Sequence, residues 1–112
     1  MTSTPSIPAG EALAVCPGSF DPLTLGHVDV VERAAGLFTR VVLGVAHNAD
    51  KAGRHLLSLE QRLDTARAAL AHLPGVEVDV VPGLLADYCR RRGATAIVRG
   101  LRNGTDLDAE LP

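Results

Sequence analysis

Short apolar runs alternate along this chain with longer stretches in which apolar residues recur every three or four positions. Leu13-Ala14-Val15-Cys16 is a short apolar run halted by Pro17-Gly18, which predicts a buried strand leading into a loop. From Gly26 to Phe38, Val31, Ala34, Ala35 and Phe38 fall at helical spacing. Val41-Val42-Leu43-Gly44-Val45-Ala46 is apolar on both faces, as strands of a parallel sheet are. A polar segment from His47 to Leu57 predicts a long loop. Ser58 and Gln61 then have the spacing of a capping box, and Leu59, Leu63, Ala66, Leu70 and Leu73 carry a helical stripe as far as Pro74-Gly75. Between Val76 and Val81, valines alternate with Glu77 and Asp79, which predicts a strand with one solvated face. Leu84, Leu85, Tyr88 and Cys89 make a third helix ending in Arg90-Arg91-Arg92-Gly93, and Ala94 to Val98 reads as a fourth strand.

Strand and helix therefore alternate from start to end. Right-handed crossovers turn that order into an α/β fold, a Rossmann-like doubly wound parallel sheet with helices on both faces. In such sheets ligands bind at the carboxyl ends of the strands, where the strand order reverses. Chemistry is then expected just after the first, second and fourth strands, in the segments Pro17 to His27, His47 to Arg54 and Arg99 to Asp106.

Composition narrows the function classes. A length of 112 residues suits one domain, expected over residues 11–112, and 46% hydrophobic residues exclude general disorder. Residues 1–10 have no basic residue and no apolar core, so they read as a disordered leader rather than a secretory signal. Eleven basic residues against thirteen acidic ones give a net charge of -2, which argues against a nucleic-acid surface. No apolar run is long enough to cross a membrane. Cys16 and Cys89 lie far apart and are expected to be free thiols; no histidine stands at a spacing that would make a zinc site with them. His47, His55 and His72 are expected to be ordinary surface residues. The three arginines before Gly93 are expected to complement a helix C-terminus.

The segment Cys16-Pro17-Gly18-Ser19-Phe20-Asp21-Pro22-Leu23-Thr24-Leu25-Gly26-His27 holds neither a phosphate loop ending in Gly-Lys-Ser nor a G-x-G-x-x-G. It does place Gly18 at a strand end, where a ligand can approach the backbone closely, and a serine hydroxyl beside it. Thr24 to His27 opens the next helix, so His27 falls in the first turn, where unpaired N–H groups favour phosphate. Each feature alone has an ordinary explanation: a lone histidine is more often a surface or satisfied core residue. Their combination at one strand end is much more specific.

G-S-F-D-P-L-T-L-G-H resembles the signature of the T/H-x-G-H nucleotidyltransferase superfamily and, within it, the bacterial phosphopantetheine adenylyltransferase family. Ala96-Ile97-Val98-Arg99-Gly100-Leu101-Arg102 is similar to that family's R/K-G-L-R segment, and Leu59-Glu60-Gln61-Arg62 to its L-x-x-R helix start. The resemblance implies transfer of AMP from ATP to 4′-phosphopantetheine in coenzyme A biosynthesis. It also implies Mg²⁺ brought with ATP, a cytoplasmic location and a hexamer. By the same resemblance His27 is catalytic, stabilising charge on the transferring phosphate. Ser19, Phe20, His27, Gly100, Leu101, Arg102 and Glu110 would bind ATP, and Ser19, Lys51, Leu85 and Arg99 the acceptor. The reaction needs no strong base, because the acceptor phosphate is already largely ionised near neutral pH. It needs two anions aligned and positive charge where the transition state spreads its own.

Thr105 to Asp108 has the spacing of a capping pair and predicts the start of a helix. The family continues beyond this point with a Ser-rich ATP-binding segment, so the chain reads as a member cut short at its C-terminus. Two alternatives accompany the adenylyltransferase: another nucleotidyltransferase of the superfamily, and a truncated, inactive nucleotide-binding fragment.

Overall fold

A computed structural model describes residues 12–47 and 55–100, together with the backbone of residues 107–110. Among these described residues, five strands and three helices follow one another as β1 (Leu13–Gly18), α1 (Leu25–Leu37), β2 (Arg40–His47), α2 (Leu59–Leu70), β3 (Val76–Pro82), α3 (Leu85–Arg92), β4 (Ala96–Gly100) and β5 (Leu107–Glu110). The sheet order is β3-β2-β1-β4-β5. β1 to β4 are parallel, as the alternating pattern predicts, and the chain reverses direction across the sheet between β1 and β4.

Side-chain alternation along the central strands divides the interior in two. Ala14, Cys16, Val41, Leu43 and Val45 meet Val31 and Ala34 of α1 and Ala66 and Leu70 of α2. Leu13, Val15 and Val42 meet Tyr88 and Cys89 of α3 on the other face. The two cysteines are accordingly free, buried thiols on opposite faces of the sheet.

Local chemistry explains the helix boundaries. Thr24 caps α1 and Ser58 caps α2, each in a complete capping box, the second with Gln61 as the sequence predicts. α3 ends at Gly93, whose φ of 71° is a left-handed conformation that glycine adopts without strain. The three preceding arginines lie in its last turn, as expected for a helix C-terminus, but Arg92 does more. It spans to the edge strand β3, donating to Glu77 at 2.8 Å and Asp79 at 2.9 Å, while the Tyr88 hydroxyl also donates to Asp79 at 2.6 Å. The face of β3 expected to be solvated is thus partly covered by α3.

Several boundaries differ from the sequence pattern, among them the end of α2 at Leu70 and the inclusion of His47 in β2. β1 runs on through Pro17 and Gly18 because β2 continues beside it, with Pro17 opposite Gly44 and Gly18 opposite Val45. β4 begins two residues later than expected, at Ala96, where its pairing with Ala14 of β1 starts. Residues 107–110 are not a helix start: they form β5, antiparallel to β4, with Leu107 opposite Gly100 and Glu110 opposite Ile97. β4 offers an open row of backbone donors and acceptors on that side, and the returning chain satisfies them. The leader expected over residues 1–10 lies outside the described residues, as does the remainder of the segment 101–106.

Candidate functional site

The carboxyl ends of β1 and β4 open into a cleft of about 710 Å³ at the point where the strand order reverses. Pro17, Gly18, Ser19, Phe20 and Asp21 form one wall, Gly26, His27, Val30 and Val31 of α1 another, and Cys16, Leu43 and Val98 the floor, with Arg99 at the rim. Ser19, Phe20, His27 and Arg99, four of the residues singled out in the sequence, are therefore brought to one cavity.

His27 is held by the cap of its own helix. Its Nδ1 lies 2.9 Å from the Thr24 backbone N–H, from which it accepts, while the Thr24 hydroxyl accepts from the His27 N–H at 3.3 Å. A ring nitrogen that accepts an N–H carries no hydrogen, so the neutral ring bears its proton on Nε2. Burial holds the imidazole pKa below its ordinary value, which keeps the ring neutral near pH 7. The ring is further fixed by Phe20, which meets it edge-on with centroids 5.0 Å apart.

Phe20 also revises the reading of Gly18. A side chain at Gly18 would meet the Phe20 ring at 2.8 Å, so the space above this glycine is taken by Phe20 itself rather than left for a ligand. Phe20 has a φ of 50°, in the left-handed region that non-glycine residues rarely enter. That turn folds its ring back over the strand end, and only 6% of the residue is exposed. Phe20 is thus a support for His27 as well as part of the cleft wall.

Two further residues have parts that the sequence reading did not assign, although Arg62 stands in its L-x-x-R segment and Asp21 in its G-S-F-D-P segment. Asp21 accepts from the backbone N–H groups of Leu56 and Leu57, both at 2.7 Å, and lies 3.4 Å from the His55 ring. Burial works to raise its pKa, but the two amides and the His55 ring outweigh this and hold the carboxyl below its ordinary value. His55 is therefore a partner of the loop and not an ordinary surface residue. His72, by contrast, pairs with Glu32 at an exposed position. Arg62 is 1% exposed and donates through Nη1 to the carbonyls of Ser19 at 3.0 Å and Ala46 at 3.1 Å. The sequence did hold a signal for it: Arg62 stands three residues after Leu59 and four before Ala66, a charge within the apolar stripe of α2.

The other candidates are placed less completely. Leu85 opens α3 and packs against the core on the far face of the sheet; it is not among the residues lining the cleft. Gly100 ends β4 and Glu110 ends β5, opposite Ile97. Lys51, Leu101 and Arg102 lie outside the described residues. Among the described residues no group of three or more His, Cys, Asp or Glu side chains could hold a metal ion, and no helix is long and apolar enough to cross a membrane.

Comparison with known proteins agrees with this architecture. A sequence model of the cytidylyltransferase-like family matches residues 15–111. The chain is 54% identical over 100 residues to a phosphopantetheine adenylyltransferase of Arthrobacter sp. (strain FB24), covering 88% of this chain and 62% of that protein. It is 53% identical over 98 residues to the protein of that name from Deinococcus radiodurans, covering 88% of this chain and 59% of the relative. The chain thus spans about three fifths of the length of these relatives. Among solved structures, the lipopolysaccharide core biosynthesis protein of Thermoplasma volcanium GSS1 superposes with a TM-score of 0.59 at 20% identity, over 79% of this chain and 73% of that one. A bifunctional NMN adenylyltransferase/ADP ribose pyrophosphatase of Francisella tularensis gives 0.51 at 21% identity, over 73% of this chain and 25% of that one. At such identities the likeness is one of fold.

Proposed function

We propose that this chain, which belongs to the cytidylyltransferase-like family, carries the reacting-phosphate site of a phosphopantetheine adenylyltransferase. An oxygen of the 4′-phosphopantetheine phosphate attacks the α-phosphorus of ATP. The bond from that phosphorus to the bridging oxygen of the β-phosphate breaks, and dephospho-coenzyme A and pyrophosphate result. The observation that supports this most is the neutral, doubly fixed His27 at the first turn of α1, on the wall of the cleft. Its Nε2–H is a donor that needs no reorientation as charge develops on the α-phosphate, and the unpaired amides of the helix start add to it. No general base is called for, because the attacking phosphate is already anionic. The high identity to relatives bearing the adenylyltransferase name supports the choice of substrates.

The remaining assignments belong to the same proposal. Arg99, at the cleft rim, and Lys51 would face the acceptor phosphate; Gly100, Leu101, Arg102 and Glu110 would hold the adenylate; Leu85 would contact the pantetheine arm. Mg²⁺ would arrive on the ATP phosphates, whose oxygens suit a hard cation. When bound, it would neutralise charge on the leaving pyrophosphate. A cytoplasmic hexamer completes the reading drawn from the family resemblance.

Cytidylyl transfer is the second reading, favoured by the description of the matched family. Titration of the chain with ATP, CTP and 4′-phosphopantetheine separates the two. Saturable binding of ATP, tighter than CTP, together with binding of 4′-phosphopantetheine is expected. CTP bound as tightly as ATP favours the second reading, and binding of none of the three overturns the proposal. Pyrophosphate release from ATP in the presence of Mg²⁺ and 4′-phosphopantetheine tests the reaction itself, in this chain and in a version extended to the length of its relatives.

A further inference from the structure

Arg62 is a full positive charge, 1% exposed, in a place where an apolar side chain would complete the stripe of α2. Its two acceptors are backbone carbonyls, and no carboxylate partners it among the described residues. Its Nε is buried without a hydrogen-bond partner. Burying a guanidinium against neutral carbonyls is costly, and exchange of buried ionic groups for apolar ones of similar volume is often neutral or stabilising. Stability alone is therefore a poor account of an arginine at this position.

The two carbonyls explain what it does. Ser19 follows β1 and Ala46 lies near the end of β2, the neighbouring parallel strand, so one Nη1 ties the carboxyl ends of two strands to the first turns of α2. The Ser19 carbonyl belongs to the peptide that leads into Phe20, the residue with the φ of 50°. In a trans peptide the carbonyl and the following N–H point in opposite directions. Holding that carbonyl against α2 turns the Phe20 N–H away from α2, and it fixes the stem from which the Ser19 hydroxyl and the Phe20 ring enter the cleft wall. Arg62 itself does not line the cleft.

We propose that Arg62 is a positioning residue: through the Ser19 and Ala46 carbonyls it sets the Ser19–Phe20 peptide for an ATP phosphate and locks the first-strand loop to the end of the second strand. The inference rests on the cleft being a nucleotide site, as proposed above. Phosphoryl transfer tolerates little misalignment, so loosening this one peptide reaches the reacting centre through both Ser19 and the ring that supports His27.

The test compares wild type, Arg62→Lys and Arg62→Met in the chain described here. Three quantities are read: thermal midpoint, ATP affinity by calorimetry, and amide hydrogen exchange at Ser19, Phe20, Ala46 and His47 against Val78 to Val80 in β3. Arg62→Met should melt within a few degrees of wild type yet bind ATP at least about tenfold more weakly, the scale of a lost charge-assisted hydrogen bond. Exchange should quicken at the four loop amides and not in β3, and Arg62→Lys should fall between the two. Arg62→Met with wild-type ATP affinity and wild-type exchange overturns the proposal. Uniformly faster exchange, or failure of both variants to fold, also overturns it, since the residue is then a general strut. Where Arg62→Met alone fails to fold, a folded Arg62→Lys decides: weakened ATP binding supports the role and wild-type binding overturns it. A wild-type chain that does not bind ATP refutes the nucleotide reading, while the exchange pattern still decides whether Arg62 holds the Ser19 peptide.

Discussion

At the scale of single residues, the cleft is built by side chains that hold one another in a single protonation and rotamer state. His27 accepts from the Thr24 amide at Nδ1, and burial disfavours its charged form, so at pH 7 histidine ¹⁵N spectra should show the neutral, Nε2-protonated tautomer. A signal from the Nδ1–H tautomer or from imidazolium assigned to His27, and not to the other three histidines, would contradict the geometry. If that Nε2–H meets the transferring phosphate, as proposed, His27→Ala in a version extended to the length of the relatives should lower kcat by roughly a hundred- to a thousandfold, as loss of one transition-state donor does, with an unchanged melting temperature. A fall of less than about tenfold would remove His27 from that role. Asp21 gives a pH prediction with a definite sign. Its folded-state pKa is depressed: burial pushes it up, but the Leu56 and Leu57 amides and His55 outweigh that. Its contribution to stability is therefore present above the ordinary aspartate value near 3.9 and is lost as pH falls through the lower folded value. The gap in melting temperature between wild type and Asp21→Asn should be present at about pH 5 and narrow below about pH 4. A gap that stays constant to pH 3 would show that the carboxylate's charge contributes nothing.

At the scale of elements, the two helix caps look alike and differ in consequence. Thr24 and Ser58 each accept from the third residue of the helix they start. Loss of either hydroxyl should cost about 0.5–2 kcal/mol of stability. Ser58→Ala should do only that, because its partner Gln61 is exposed and stands outside the cleft. Thr24→Ala should also weaken ATP, because the third residue of its helix is His27, whose ring sits 3.1 Å from the threonine hydroxyl. Equal ATP affinities for the two variants, measured beside equal losses in melting temperature, would uncouple the cap from the site. These elements were also where the sequence was most and least legible. The Ser58–Gln61 capping box and the three amphipathic helices stand in the spacing of residues, because helix period and cap chemistry are local properties; the box at Thr24, closed by a histidine, does not have that pattern. The reversal that makes β5 a strand is not local: it depends on an open edge of β4, which no window around residues 107–110 contains. The parts played by Arg62 and Asp21 were not legible for the same reason. Their partners, Ser19 and Ala46 for one and Leu56 and Leu57 for the other, lie 16 to 43 residues away.

At the scale of the whole molecule, the sheet divides the interior into two cores with different duties. The parallel pairing and the placement of the cleft at the carboxyl ends of the strands follow from the alternation of strand and helix, and for that reason were readable from the chain, whereas the order β3-β2-β1-β4-β5 was not. Which face serves the site was not readable, since central parallel strands are apolar on both sides. The structure separates them: Leu43 and Val98 belong to the core under α1 and α2 and also form the cleft floor, whereas Val42 packs with Tyr88 and Cys89 beneath α3. Leu43 and Val42 are adjacent in β2, both 0% exposed, and point to opposite sides. Leu43→Ala should lower stability by about 2–5 kcal/mol. Val42→Ala, which removes two carbons, should lower it by roughly 2 kcal/mol from the transfer free energy alone. The cavity left by Leu43→Ala opens beneath Val31 and the wall that carries His27, so ATP affinity should fall with stability. Val42→Ala leaves its cavity on the α3 side, and ATP affinity should stay within about twofold of wild type despite the lost stability, a free-energy change below roughly 0.5 kcal/mol. Denaturation by urea gives the first quantity and calorimetric titration the second. Should Val42→Ala weaken ATP as much as Leu43→Ala does, the two cores act as one and the division of labour across the sheet is wrong.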